Sequence, residues 1–84
     1  MFIVYVLHSS KHGKIYIGFT SNLEQRLLSH NELGKKGWTI KFRPWQLVFT
    51  EEFETKQEAM KREKELKTAV GRNTIWERIN EVTS

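Results

Sequence analysis

The 84-residue sequence predicts a small α/β domain of the α+β kind, a three-stranded antiparallel sheet flanked by helices in the order β-β-α-β-α-α. Three observations predict it. A β-branched and aromatic run opens the chain and leads, through a glycine-bearing turn, into an alternating strand. Two Ser/Thr-x-x-Glu sequences announce helices further on. Between those helices the single proline, Pro44, precedes a short apolar segment with strand character.

Phe2 to Leu7 is apolar on both faces, as expected of a central strand. Ser9 to Gly13 reads as a turn, after which Lys14 to Phe19 alternates Ile15, Ile17 and Phe19 against Tyr16 and Gly18. The two segments make a hairpin, and pairing residue 5 with residue 16 puts both tyrosines on one face. Ser21 to Glu24 has the form of a capping box with Ser21 as N-cap. Its helix is expected to reach Asn31 or Glu32 and to bury Leu23 and Leu27. Arg26 and His30, four residues apart, flank that stripe and point to one rim of the sheet. Pro44 keeps Arg43 extended, and Gln46 to Thr50 forms the third strand.

Thr55 to Glu58 is a second capping box, with Gly71 as the C′ stop of its helix. Ala59, Leu66 and Val70 form the core stripe of this helix, with Glu63 between them and Glu58 and Glu65 on the solvated side. A third helix from Thr74 to about Glu81 closes the domain with Ile75, Trp76 and Ile79.

The length suits one domain over residues 1–84. There are no cysteines, so neither a disulfide nor a thiolate zinc site holds it together. His8 and His12 stand in a turn that offers no further zinc ligands. The longest wholly apolar run, Phe2 to Leu7, is too short to span a membrane. The N-terminus also lacks the basic region and cleavage site of a signal peptide. A soluble, cytoplasmic, monomeric protein is expected.

The net charge of +4 is unevenly placed. Residues 33 to 50 contain Lys35, Lys36, Lys41 and Arg43 and no acid, so the rest of the chain is balanced. Trp38, Phe42 and Trp45 are interleaved with these cations. Phosphate contact and base stacking would use such a segment, whereas a solvated loop anchored by its tryptophans is the plainer reading. All ten acids are glutamates, so a hard-metal site must draw on Glu, His or backbone oxygen. Glu63 stands out among them, because a carboxylate on a core-facing stripe is costly unless it is paired or binds a cation. Arg26 or Arg62 is a possible structural partner.

Ile3-Val4-Tyr5 followed by Tyr16-Ile17-Gly18 resembles the two half-motifs of the GIY-YIG nuclease superfamily. Arg26 lies ten residues beyond Tyr16, where that family carries an arginine. Glu58 to Lys67 is similar to its helix with a metal-binding glutamate, which falls on Glu63. The resemblance covers nearly the whole chain and is nearest to the short stand-alone bacterial branch. It implies a metal-dependent endonuclease that binds nucleic acid, DNA rather than RNA, as DNA repair enzymes of this superfamily do. Tyr5 and Tyr16 would be the hydrogen-bonding and proton-transfer tyrosines, and Arg26 would hold the scissile phosphate. Glu63 would bind one Mg²⁺ or Mn²⁺. His30 stands where relatives carry another polar ring residue. Lys35, Lys36, Lys41 and Arg43 would add affinity for nucleic acid. The sequence departs from the family at Ile3, where the first triplet has glycine, and at Phe19, where some relatives have lysine. The alternative is a binding module of the same fold without catalysis.

Overall fold

The computed structural model describes residues 1–33 and 38–83. Strands β1 (Phe2–Ser9), β2 (Lys14–Thr20) and β3 (Gln46–Phe53) form one antiparallel sheet in the order β2-β1-β3. Helix α1 (Leu23–Leu28) continues into a π-helical turn, Ser29–Leu33, and a 3₁₀ helix spans Trp38–Phe42. Helices α2 (Lys56–Leu66) and α3 (Ala69–Thr83) follow β3. This is the expected α+β architecture, with the apolar first strand in the centre.

The hairpin register differs from the expected one by two residues. Tyr5 lies opposite Gly18, and Tyr16 opposite Leu7. The cause is the connection: Ser9 pairs with Lys14 across the four residues Ser10 to Gly13, two more than the expected register allows. The tight turn that results is closed by the Gly13 amide on the Ser9 carbonyl at 2.8 Å. Gly13 takes φ +64°, a left-handed conformation that glycine adopts without penalty. A slip of two preserves the face of every side chain. The tyrosines therefore remain on one side of the sheet as diagonal neighbours, with ring centroids 6.1 Å apart.

Strand alternation divides the core into two layers. Val4, Val6, Ile15 and Ile17 pack against Ala59 and Leu66 of α2 and Ile75 and Ile79 of α3. The opposite face carries Tyr5, Leu7 and Trp45, with Tyr16, Leu23, Leu27 and Phe42 packed around them. α1 thus covers one face and α2 with α3 the other.

Helix ends account for most of the remaining differences. Asn22, not Ser21, caps α1, its side-chain oxygen accepting from the Gln25 amide at 3.1 Å. Both residue types cap well, and the choice falls to the one whose backbone is extended immediately before the first helical turn. Thr55 caps α2 as expected, accepting from the Glu58 amide and donating to the Glu58 carboxylate. That helix stops at Leu66, short of the expected Gly71. The Thr68 hydroxyl accepts from the Gly71 amide and so caps α3, which begins before the expected Thr74. Val70 then falls on the first turn of α3 and is exposed rather than part of the stripe. Gly71 is required there by closeness instead of by a C-cap. A Cβ on it would collide with the Glu65 carbonyl oxygen and lie 2.6 Å from the Leu66 Cα. On α2, Arg62 grips the Glu51 carboxylate through Nε (2.6 Å) and Nη2 (3.2 Å), and also reaches Glu65. This planar two-point pairing fastens the helix to β3.

Candidate active site

Tyr5 is wholly buried in the middle of β1, and its hydroxyl lies 2.9 Å from Nε2 of His30. Tyr16, one step along the neighbouring strand, is half-buried, with its ring centroid 4.6 Å from that of His30. Arg26 is exposed on α1 and lies within electrostatic reach of both tyrosines. Four of the sequence-selected residues, Tyr5, Tyr16, Arg26 and His30, thus meet on one face.

Gly18 makes this meeting possible. It points toward the same face as Tyr5, and a Cβ there would stand 2.8 Å from the Tyr5 hydroxyl and 3.1 Å from Cε1 of Tyr16. The glycine is therefore needed for the packing of the two phenols, a reason that sequence alone did not give. The π-helical turn has a comparable role. The helix widens after Leu28, and His30 is buried while Arg26 faces solvent. Such turns are rare and recur at functional sites.

Burial pushes the Tyr5 hydroxyl up to about 12, helped by the neighbouring Tyr16 and opposed by Arg26. At neutral pH it is a hydrogen-bond donor rather than a phenolate. His30 is shifted below its ordinary value by burial first, then by Arg26 and Arg43. It is therefore neutral at pH 7, and its Nε2 can accept the Tyr5 proton. The tyrosines in turn raise the Arg26 value and keep its guanidinium charged.

A second set of contacts holds His30 from behind. Arg43 donates through Nε to the His30 carbonyl (2.6 Å) and through Nη2 to the Ser29 carbonyl (3.2 Å). These carbonyls end a helix, where a cation is favourably placed. Asn31 donates to the Trp45 carbonyl (3.1 Å) and accepts from the Trp45 amide (2.6 Å), copying a strand pair with one side chain. The Trp45 indole donates to the Thr39 carbonyl at 2.8 Å. Trp45 is thus a core anchor, and Arg43, expected on the nucleic-acid surface, is half-buried and turned onto the site's own backbone. Sequence missed the roles of Asn31 and Arg43, since nothing in composition separates a carbonyl-binding arginine from a phosphate-binding one. Lys41 is exposed; Lys35, Lys36 and the Trp38 side chain lie outside the described part of the structure.

Glu63 belongs to α2, which packs against the sheet layer opposite that of Tyr5 and Tyr16. Its side chain is 18% exposed and accepts from Lys67 Nζ at 3.1 Å. The partner is thus this lysine, one turn on, and not Arg26 or Arg62. Among the described residues no three His or Glu cluster into a site for an ion. A lone half-buried carboxylate still fits Mg²⁺ or Mn²⁺, which are commonly held by one or two carboxylates together with water and substrate phosphate. Phe19, where a lysine stands in some relatives, packs against the helix-covered core.

Residues 1–76 match the GIY-YIG catalytic domain, and the chain belongs to that family. Its relatives are small proteins of similar length. It is 45% identical to a UPF0213 protein of Staphylococcus saprophyticus over 58 residues, 69% of this chain and 71% of that one. It is 42% identical to a UPF0213 protein of Staphylococcus haemolyticus over 65 residues, 77% of this chain and 78% of that one. The solution NMR structure of the UPF0213 protein from Bacillus halodurans superposes with a TM-score of 0.54 at 28% identity, covering 92% of this chain and 84% of that one. The family is one of endonucleases that use divalent metal and bind nucleic acid, whereas the name UPF0213 carries no activity. No helix among the described residues is long and apolar enough to cross a membrane.

Proposed function

We propose that the protein is a metal-dependent endonuclease that hydrolyses phosphodiester bonds in DNA, working as a cytoplasmic monomer in a repair-type role. The observation that carries this reading is the meeting of Tyr5, Tyr16, Arg26 and His30 around Gly18. Tyr16, half-buried where Tyr5 is sealed, is the tyrosine able to reach an attacking water and accept its proton. Arg26, charged and open to solvent, is placed to receive the scissile phosphate. Tyr5 and His30 lock each other in place on the face that Arg26 adjoins. Glu63 would hold Mg²⁺ or Mn²⁺, releasing Lys67. The bound ion would supply Lewis-acid help to the phosphate and the leaving 3′ oxygen. Lys41 would add a phosphate contact, as would Lys35 and Lys36.

The Lys67–Glu63 ion pair, together with the position of α2 on the far face, favours a second reading: a nucleic-acid-binding module of this fold without catalysis. A nicking assay over single-stranded, duplex and branched DNA and RNA separates the two. Cleavage that needs Mg²⁺ or Mn²⁺ and stops with chelator supports the enzyme; binding that survives chelation without nicking supports the module.

Gly18→Ala tests the tyrosine packing. The added methyl must displace the Tyr5 hydroxyl or the Tyr16 ring, and a misplacement of this kind can cost on the order of 100-fold in rate. Overpacking should also destabilise the fold by about 1–3 kcal/mol. Single-turnover cleavage and thermal unfolding check both, and parental cleavage would remove the close packing from the mechanism.

The His30 shift also predicts a pH effect on stability. The folded imidazole takes up its proton at lower pH than the unfolded one. Between those two values the unfolded chain binds more protons. The contribution of His30 is therefore full above the ordinary value of about 6.5 and declines as pH falls below it. Thermal midpoints of the protein and of His30→Gln, compared from pH 8 to pH 5, should converge on the acid side. Parallel curves would contradict the assignment.

A further inference from the structure

We propose that the tip of the β1–β2 hairpin, Lys11, His12 and Lys14, forms with Lys41 and Phe42 a docking surface for a nucleic-acid backbone running past the candidate site. The inference rests on the nucleic-acid reading of the tyrosine face and adds to Lys41 three residues, Lys11, His12 and Lys14, outside the motif and outside the basic segment of residues 33–50.

Strand parity aligns Lys14, Tyr16 and Gly18 on one face, so the lysine stands one two-residue step, roughly 7 Å, beyond the half-buried tyrosine. The hairpin tip is joined to the later segment at one ring. Lys14 Nζ lies 5.6 Å from the Phe42 centroid, and the His12 ring meets Phe42 edge-on at 5.5 Å. Phe42 belongs to the same apolar cluster as Tyr16 and Trp45, so the surface is continuous with the site. Lys11, His12, Lys14 and Lys41 are all exposed.

Charge argues in the same direction. The first acid in the chain is Glu24, which follows the far end of β2, and residues 33–50 contain none. The two segments that meet at Phe42 therefore bring cations together without a carboxylate of their own. The ion pairs of Arg62 with Glu51 and Glu65, and of Lys67 with Glu63, lie on α2 and β3. Among the described residues these cations have no acidic partner along this edge of the site, and beside an aromatic ring they suit a phosphate backbone with its bases turned to the ring. A purely structural role for the Lys14–Phe42 contact would instead appear in stability alone.

The test is binding of the full-length protein to a fluorescent DNA duplex in the presence of chelator, followed by anisotropy over a range of salt. The double variant Lys11→Ala/Lys14→Ala should bind roughly 5- to 10-fold more weakly per lysine at 0.1 M salt, with the log–log slope shallower by about one unit per lost contact. Lys14→Arg should restore its share of the slope. Lys61→Ala/Lys64→Ala, which removes two exposed cations from α2, should leave the slope unchanged. An unchanged slope in the hairpin variant overturns the proposal. So does an equal loss in the α2 variant, or no binding by the parent protein. If no nucleic acid is cleaved under any metal while the hairpin variant still loses slope, the docking surface stands and the nuclease reading falls.

Discussion

Arg26→Lys is expected to slow single-turnover cleavage by on the order of 100–1000-fold while changing nucleic-acid affinity only a few-fold. The substitution keeps the charge and loses the planar fork. Arg26 lies within electrostatic reach of Tyr5 and Tyr16. A lysine ammonium on a mobile stem cannot hold two phosphate oxygens in register as the planar fork does. Long-range attraction, by contrast, depends on charge and should survive the change. Circular dichroism must first show an intact fold, because the stem of Arg26 adjoins Leu23 and Leu27. A folded variant that cleaves at the parental rate would take Arg26 out of the chemistry and leave it an attractor only.

Glu63→Gln should abolish metal-dependent cleavage with little change in stability. The side chain is partly exposed, and its partner Lys67 more so, which limits their pair to about 0.5 kcal/mol. Glutamine keeps the shape and one acceptor oxygen but removes the charge that a divalent ion requires. Thermal unfolding and nicking measured in parallel distinguish the outcomes. A loss of several kcal/mol would make Glu63 a structural residue, and undiminished cleavage would move the metal elsewhere. Replacing Lys67 by Met provides the complement. It frees the carboxylate, so an ion-binding role predicts a lower Mg²⁺ requirement for half-maximal cleavage in that variant.

What could be read from the sequence divides along physical lines. The central strand was legible because Phe2 to Leu7 is apolar on both faces, and only a strand with neighbours on each side and layers above and below buries such a run. Thr55 was legible as a cap because its hydroxyl and Glu58 act within one turn. The hairpin register was not, because Ser9 can end the strand or begin the turn with equal local chemistry. The decision lies in the closure at Gly13. Helical periodicity ran straight from Leu66 to Val70 because Thr68 and Gly71 do not announce a bend unless the first turn of α3 is seen against the end of α2. The site divides in the same way. Tyr5, Tyr16, Arg26 and His30 are joined by short elements near in sequence, so spacing alone brings them together. Glu63 arrives through a crossover to the other layer, and a one-dimensional pattern cannot tell which side of a sheet a helix will cover. The role of Arg43 depends on carbonyls rather than on side chains, and these leave no trace in composition.

The two hydrogen bonds between Asn31 and the backbone of Trp45 have a consequence for how such a chain can grow. They join the segment after α1 directly to the start of β3, so this clamp fixes Asn31, next to His30, against Trp45. Inserted sequence between residues 33 and 38 would pay mainly loop-closure entropy, which rises only slowly with length. A peptide tag, or a second binding module, spliced between Leu33 and Trp38 should therefore leave the tyrosine cluster undisturbed. The same splice in an Asn31→Ala background should loosen it. The neck of this loop is a natural port for added recognition elements in an otherwise minimal domain.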